Sequence, residues 1–185
     1  MDRFVPAYDE SDEPHYEQLR ADPEWNRIYA LIRQGYWHVT SLQGWEKIRE
    51  SGAIKPNRGG RFPMRFGYVS ERSYGRKSDL IALFDFATPS EGEVMRQWGN
   101  AWDVMVKNRE DHILLQLERS SLEGRIIPNS EVFGRSDGKI AGGCIPFVEV
   151  WYPEDIPTDC IASVYRLPAT CQFEFLPVRL RAKDA

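Results

Sequence analysis

Glu149 is the residue of this sequence whose chemical type and surroundings most invite a functional interpretation. It lies in a segment, residues 145–152, that predicts a strand and in which its neighbours are large and apolar: Phe147, Val148, Val150, Trp151 and Tyr152. A carboxylate buried among such side chains costs several kcal/mol unless it is paired. If the strand lies at an edge or faces solvent, this cost vanishes and Glu149 has no special role. If the strand lines a cleft, the rigid backbone would hold the carboxylate for binding or catalysis.

His38 and Asp85 are two further polar residues at the ends of predicted strands. His38 follows Tyr36 and Trp37, which favour a strand, and it precedes a predicted helix whose first N–H groups have no intrahelical partner. A ligand could meet the ring and those N–H groups together, although a lone histidine at a strand end is more often a structural residue. Asp85 could be a cleft carboxylate or the partner of an arginine. The residues alone leave these alternatives open.

Positive charge is concentrated in one part of the chain. Residues 58–77 hold a cluster of basic side chains: Arg58, Arg61, Arg65, Arg72, Arg76 and Lys77. Such a cluster is more often a solvated loop than a binding surface, but arginine can also bind phosphate groups. The net charge of the whole chain is −4, so the composition neither indicates nor excludes a nucleic-acid-binding protein.

Several well-defined sites are absent from the sequence. No GxGxxG dinucleotide motif, P-loop or GxSxG nucleophile motif occurs. Cys144, Cys160 and Cys171 are widely spaced and form no ligand pattern with histidine, so no metal site is expected. Unpaired cysteines are typical of a reducing cytoplasm, and neither a signal peptide nor a long apolar run occurs. We therefore expect a cytoplasmic protein that does not contact a membrane.

Residues 35–57 predict the local frame around the histidine. A short strand is followed by a helix whose apolar residues share one face: Leu42, Trp45 and Ile48. Thr40 or Ser41 can cap this helix, and Thr40 with Gln43 fits the spacing of a capping box. Gly52 can end the helix in a left-handed turn, after which the chain continues as a second strand.

The rest of the chain predicts few helices and many short strands. An acidic segment, residues 1–15, is expected to be a flexible arm, and residues 16–185 a single domain. A helix is predicted over residues 16–34, and residues 88–102 are expected to be part helix and part loop. Further strands are predicted at residues 79–86, 112–117, 145–152, 160–167 and 171–178. Because strands and helices do not alternate regularly, we expect an α+β fold with N-terminal helices and a bent or split, mainly antiparallel sheet.

Three segments, taken in order, resemble the ADP-ribosyltransferase fold in its DarT-like branch, a group of DNA ADP-ribosyltransferase toxins. HVTSLQGWEKIRESGAIKP is similar to the family's N-terminal motif, in which a strand carrying His-x-Thr leads into a helix that ends at a glycine. RKSDLIALFDFATPSEGEVM resembles the segment in which an arginine precedes a buried aromatic strand. VEVWYPEDIPTDCIASVYRL resembles the segment that carries the catalytic glutamate. The resemblance spans residues 36–167.

The resemblance implies an enzyme that transfers ADP-ribose from NAD to a macromolecular acceptor without a metal. Glu149 would stabilise the oxocarbenium-like centre on the ribose and help to deprotonate the acceptor. Arg76 or Arg72, which the resemblance does not separate, would pair with the pyrophosphate or orient the acceptor. His38 would bond the adenosine-side ribose, and tyrosines would stack on the nicotinamide or the adenine. The residues implied to hold NAD are His38, Thr40, Tyr68, Ser70, Arg72 and Tyr74.

The acceptor implied by the resemblance is DNA or RNA, with protein as the alternative, and the toxin relatives imply an antitoxin or another regulatory partner. The short stretch between Glu131 and Ile145 departs from the family and leaves the choice of acceptor open. Two other functions are consistent with the same residues. One is an NAD-dependent RNA 2′-phosphotransferase, which would read phosphate with the basic residues of 58–77. The other is a non-catalytic NAD- or nucleotide-binding module of the same fold.

Overall fold

The computed structural model describes residue 17, residues 20 and 21, and residues 23–58, 73–106, 112–135, 144–167 and 176–178. The helices in these ranges include α1 (Pro23–Ile32), α2 (Leu42–Ser51), α3 (Tyr74–Lys77), α4 (Glu91–Val106), α5 (Arg119–Leu122) and α6 (Asn129–Arg135). The strands are β1 (Tyr36–Ser41), β2 (Ala53–Ile54), β3 (Ile81–Asp85), β4 (His112–Leu117), β5 (Glu149–Tyr152), β6 (Ile156–Pro157), β7 (Ile161–Leu167) and β8 (Leu176–Val178).

Six of these strands form one sheet in the order β5-β3-β1-β4-β7-β8, and every neighbouring pair is antiparallel. The two short strands β2 and β6 pair with each other, also antiparallel. Helices and an antiparallel sheet are thus combined without any regular alternation. The prediction of an α+β fold is confirmed at this level.

The sheet separates two hydrophobic clusters. On the face that we call the α2 face, Tyr36, Leu83 and Leu115 pack with Trp45 and Ile48 of α2 and with the β2–β6 pair. On the opposite face, called the α4 face, the cluster joins strand residues to α1 and α4: Trp37, Phe84, Leu114, Trp25, Ile28, Val94 and Met95. Successive residues of a strand point to opposite faces, so β1, β3 and β4 contribute apolar side chains to both clusters. This explains why the predicted strand at residues 79–86 is nearly continuous in apolar residues.

The connections at both ends of β1 are fixed by local hydrogen bonds. The indole Nε1 of Trp37 donates to the carbonyl of Ile32 at 2.6 Å, so a carbonyl at the end of α1 keeps a partner. At the start of α2, Ser41 Oγ accepts from the N–H of Gly44 at 3.0 Å. Gly52 closes α2 with φ of 71°, as predicted. Because Ser41 is the cap, the predicted capping box between Thr40 and Gln43 is wrong.

Of two further sequence predictions, one is confirmed and one needs correction. Residues 88–102 are part loop and part helix, as predicted: α4 begins at Glu91, where Ser90 and Glu93 form a reciprocal capping box, and its buried residues contact the α4-face cluster. The predicted strand over residues 145–152 begins only at Glu149. Residues 146–148 are a turn instead, since the main-chain N–H groups of Val148 and Glu149 bond back to Pro146 and Ile145.

Some predictions concern residues that the structure does not describe. The acidic arm, residues 1–15, lies wholly outside the described residues, and the single domain over residues 16–185 stays a prediction. Among the helices in the described ranges, none has the length and apolar character needed to cross a membrane.

Candidate functional site

Glu149 begins β5, which pairs with β3 through the register Phe84↔Glu149. Phe84 in turn pairs with Trp37, and both of these side chains belong to the α4-face cluster. Paired residues of an antiparallel sheet share a face, so the Glu149 side chain lies on the α4 face. It is 8% exposed. Glu149 is therefore a buried carboxylate, which the sequence left open.

A tight turn precedes Glu149 and supplies its hydrogen bond. The N–H of Val148 donates to the carbonyl of Pro146 at 2.7 Å, and the residue between them, Phe147, has a φ of 65°. This is a γ-turn with a positive φ at a bulky residue, which is a strained conformation. The N–H of Ile145 donates to Glu149 Oε2 at 2.8 Å. The turn thus folds back over the carboxylate that follows it.

Burial raises the pKa of the Glu149 carboxyl to about 7. The hydrogen bond from Ile145 acts in the opposite direction, and so does the nearby indole N–H of Trp151. That indole nitrogen is itself buried, and its geometry falls short of a regular hydrogen bond with any group among the described residues. Trp151 lies two positions after Glu149 and therefore on the same face. A carboxyl with this pKa can both hold and release a proton near neutral pH.

The short helix α3 packs against Trp151. The ring of Tyr74 meets the indole edge to face, with centroids 4.8 Å apart. Gly75 has no space for a side chain, because a Cβ there would lie 2.9 Å from Trp151 Cδ1. Arg76 extends from the same helix, and its Nη1 donates to the carbonyl of Asn57 at 2.5 Å. Tyr74 is thereby brought to the Trp151 ring, and Arg76 is held against the segment that follows β2.

His38 lies where β1 and β3 separate. The two strands share only the pairs Tyr36↔Asp85 and Trp37↔Phe84. Beyond these pairs the His38 ring bonds the carbonyl of Ala82, with Nδ1 and O 3.1 Å apart. A carbonyl can only accept, so Nδ1 carries a proton in this arrangement.

His38 and Glu149 lie on opposite faces of the sheet. His38 follows Trp37 in β1, and Trp37 shares the α4 face with Glu149, so alternation directs His38 to the α2 face. Thr40, two residues further, is half-buried on the same side as His38. Tyr68, Ser70 and Arg72 lie outside the described residues. The structure thus brings Tyr74 to the Trp151 ring beside Glu149, and His38 and Thr40 to the other face.

Asp85 is the partner of an arginine. Arg119 Nη1 donates to Asp85 Oδ1 at 2.7 Å, and the same guanidinium lies 4.3 Å from the centre of the Tyr36 ring. Burial alone would raise the pKa of Asp85, but hydrogen bonds from Arg119, Thr88 and Ala87 outweigh it and hold the pKa below its ordinary value. Asp85 is thus the partner of an arginine, one of the two alternatives that the sequence left open.

Two residues near Glu149 were not singled out by the sequence. The side-chain amide of Asn129 donates to the carbonyls of Glu149 and Ile145, at 3.0 and 3.3 Å. Cys144 precedes the turn, and burial together with the Glu149 charge raises the pKa of its thiol to about 12. The thiol stays protonated at neutral pH, so Cys144 is not an activated nucleophile. No signal within the sequence relates Asn129 to Glu149, because the contact spans twenty residues.

A depression in the surface is lined by residues other than these. It has a volume of about 470 Å³ and is lined by Ser121, Leu122, Gly124, Arg125, Tyr152, Glu154, Asp155, Pro157 and Cys160. None of the predicted site residues is in this lining, which includes the exposed ion pair between Arg125 and Glu154. In the described ranges no group of His, Cys, Asp and Glu is arranged to hold a metal ion. We therefore base the candidate site on Glu149 and its chemistry.

Comparison with known proteins adds no assignment, because no family model matches the chain and no curated protein sequence is significantly similar to it.

Proposed function

We propose that this protein is an NAD-dependent mono-ADP-ribosyltransferase in which Glu149 is the catalytic carboxylate. One observation carries the proposal. The three segments that resemble the DarT-like branch form the neighbouring strands β1, β3 and β5, and the carboxylate stands at the start of the outer one of the three. Segments far apart in sequence are thus adjacent in space, as parts of one site must be.

The separation of β1 and β3 supports the split sheet that the resemblance implies. The ladder between these strands is limited to two residue pairs, whereas β1 and β4 are paired over six. A ligand that enters between separated strands can contact residues on both faces. His38 at this separation would bond the adenosine-side ribose of NAD, with Thr40 beside it. The nicotinamide end would reach Glu149, since the two riboses of NAD are joined by a flexible pyrophosphate.

The chemistry proposed for Glu149 begins with cleavage of the bond between nicotinamide and ribose. Positive charge develops on the ribose, and an adjacent carboxylate stabilises it. The acceptor atom then bonds to the ribose carbon, nicotinamide leaves as the neutral base, and the acceptor proton passes to Glu149. The pKa of about 7 suits a group that accepts a proton at neutral pH. Glu149 would exchange its bond to the Ile145 N–H for one to a ribose hydroxyl.

The remaining predicted residues have supporting roles in this proposal. Arg76 would turn from the Asn57 carbonyl to the pyrophosphate, because a guanidinium forms two parallel bonds to phosphate oxygens. Tyr74 would stack on a ring of NAD. Tyr68, Ser70 and Arg72 would complete the NAD site. The acceptor that we favour is a cytoplasmic nucleic acid, because Arg76 belongs to the cluster of basic residues at 58–77, and basic side chains bind the phosphate backbone.

Transfer of label from NAD tests this function directly. The protein is incubated with NAD labelled in its adenine and with separate samples of DNA, RNA and protein, and nicotinamide release is measured in parallel. Glu149→Gln keeps the shape of the side chain, and the matched control is Glu154→Gln, at an exposed glutamate that pairs with Arg125. We expect transfer with the wild type and with Glu154→Gln, and a loss of at least about a hundredfold with Glu149→Gln. Absence of both transfer and nicotinamide release in the wild type would sink the proposal.

A non-catalytic NAD- or nucleotide-binding module is the second candidate. The burial of Glu149 and its position on the face opposite His38 favour this alternative. Thermal unfolding with and without NAD separates the two functions. An increase in Tm by NAD without nicotinamide release would identify the binding module, whereas an increase accompanied by release supports the transferase.

A further inference from the structure

Asn129 occupies the position of a missing strand partner beside β5. Ile127 and Trp151 exchange both of their main-chain hydrogen bonds, N–H to carbonyl, at 2.8 and 3.1 Å. In an antiparallel register the next pair that would exchange bonds is formed by residues 129 and 149. The chain enters helix α6 at Asn129, and there its side chain supplies the donor: Nδ2 lies 3.0 Å from the carbonyl of Glu149.

The same amide also holds the other end of the turn. Asn129 Nδ2 donates to the carbonyl of Ile145 at 3.3 Å, and the Asn129 residue is 7% exposed. Ile145 and Glu149 are the residues on either side of the γ-turn centred on Phe147. A single buried side chain therefore ties together the two ends of a strained turn. A strained backbone persists only while its surroundings hold it in place.

We propose that Asn129 is the positioning residue for Glu149: by bonding the carbonyls of Ile145 and Glu149 it fixes the turn from which the carboxylate projects. Asn129 does not touch the reacting atoms. When the Asn129 amide is lost, the turn can relax away from the positive φ at Phe147. This relaxation displaces both the Ile145 N–H and the start of β5. This inference rests on the proposed function for its catalytic part, whereas the fixing of the turn is a property of the fold alone.

The test compares two buried side-chain amides, one beside the turn and one on β4. Asn129→Leu removes the amide and keeps a side chain with the same number of heavy atoms and the same branching. The control, Gln116→Leu, removes an equally buried amide on β4, where Gln116 Oε1 accepts from the Tyr165 hydroxyl at 3.4 Å. Amide hydrogen exchange is followed in peptides covering residues 144–150 and 161–167, and nicotinamide release is measured for each variant.

For Asn129→Leu we expect exchange over residues 144–150 to become about tenfold faster, while exchange over residues 161–167 stays within about twofold of the wild type. The kcat for nicotinamide release falls about tenfold with little change in KM for NAD, because binding is kept and alignment is lost. Gln116→Leu leaves kcat and the exchange of residues 144–150 unchanged. If Asn129→Leu does not fold, Asn129→Ser is used, since its side chain is too short to reach both carbonyls.

Each outcome bears on the inference. Unchanged exchange over residues 144–150 in Asn129→Leu overturns it, whatever happens to activity. Faster exchange with an unchanged kcat in an active protein also overturns it, because the turn would then not position the carboxylate. If exchange over residues 144–150 is faster in Asn129→Leu but the wild type releases no nicotinamide, the fixing of the turn by Asn129 is supported. The proposed transferase function is then rejected.

Discussion

Ile145 and Glu149 bond each other in both directions. The N–H of Ile145 donates to Glu149 Oε2 at 2.8 Å, and the N–H of Glu149 donates to the carbonyl of Ile145 at 3.1 Å. The carboxylate is therefore held by the main chain of the turn that precedes it, while no cation pairs with it among the described residues. The consequences of burying an acid in this way can be measured.

Glu149→Gln is expected to stabilise the protein at alkaline pH and to do so much less at acidic pH. The folded-state pKa of about 7 lies above the ordinary glutamate value of 4.5, so the stability linked to this group is present below pH 4.5 and is lost as the pH rises through 7. The gain of Glu149→Gln over the wild type should approach the order of 3 kcal/mol at pH 8. Urea unfolding at pH 5 and pH 8, with Glu154→Gln as the exposed control, measures it. An equal gain at both pH values would contradict the raised pKa.

Trp151→Phe is expected to move the pH dependence of nicotinamide release upward. The Trp151 indole lowers the pKa of Glu149, so its removal leaves the carboxyl protonated to a higher pH. Since the proposed reaction needs the carboxylate, the pH at half-maximal kcat should rise. The pH–rate profile of the variant is compared with that of Tyr74→Phe, which keeps the indole. A profile that stays in place or moves to lower pH would show that Trp151 does not act on the carboxyl.

Arg119→Met is expected to cost about 3 kcal/mol of stability at neutral pH, because it leaves the buried Asp85 carboxylate without its cation. The pKa of Asp85 is lowered in the fold, so its contribution is present above the unfolded pKa and is lost as the pH falls. The cost of Arg119→Met should therefore shrink in acid. Urea unfolding from pH 3 to pH 7 follows this trend, and the double variant with Asp85→Asn should recover part of the loss. A cost that is independent of pH, with no recovery, would argue against the pair.

Gly75→Ala is expected to destabilise the protein by about 1–3 kcal/mol through overpacking. Its Cβ would lie 2.9 Å from Trp151 Cδ1, and the indole is fully buried. The matched control is Gly124→Ala, where a Cβ meets no atom within 4 Å. Thermal unfolding of the two variants provides the comparison. Equal Tm values for both would show that α3 is not packed tightly on Trp151.

The sequence predicted the strands well because their residues carry local information. β1, β3 and β4 fall where aromatic and branched residues are dense, and Gly52 ends α2 as its position indicated. The turn before Glu149 was missed because Phe147 is not a residue that favours a positive φ. That conformation depends on hydrogen bonds within the turn and on the amide of Asn129, which is distant in sequence.

The relation between His38 and Glu149 could not be predicted for a different reason. Alternation within a strand shows which residues share a face, but it does not show which face of one strand continues onto the next. That depends on register, and a shift of one residue reverses the answer. Here two successive pairings across the sheet, Trp37↔Phe84 and Phe84↔Glu149, place Glu149 on the face of Trp37 and therefore opposite His38. The resemblance indicated which residues to compare, and long-range pairing decided their arrangement.

The two-pair ladder between β1 and β3 also has a mechanical consequence. The ladder that joins β3 and β5 to the four strands β1, β4, β7 and β8 has two residue pairs, next to the bond from His38 to the Ala82 carbonyl. The ion pair between Asp85 and Arg119 and the main-chain bonds between Trp151 and Ile127 also hold these two strands. The Nδ1 proton of the His38 bond is present in both the imidazolium and one neutral tautomer, so acidification does not remove the hydrogen bond from His38 to Ala82. On partial unfolding we expect this two-pair ladder to open before the six-pair ladders of β1 with β4 and of β4 with β7, and Glu149 would move with β3 and β5.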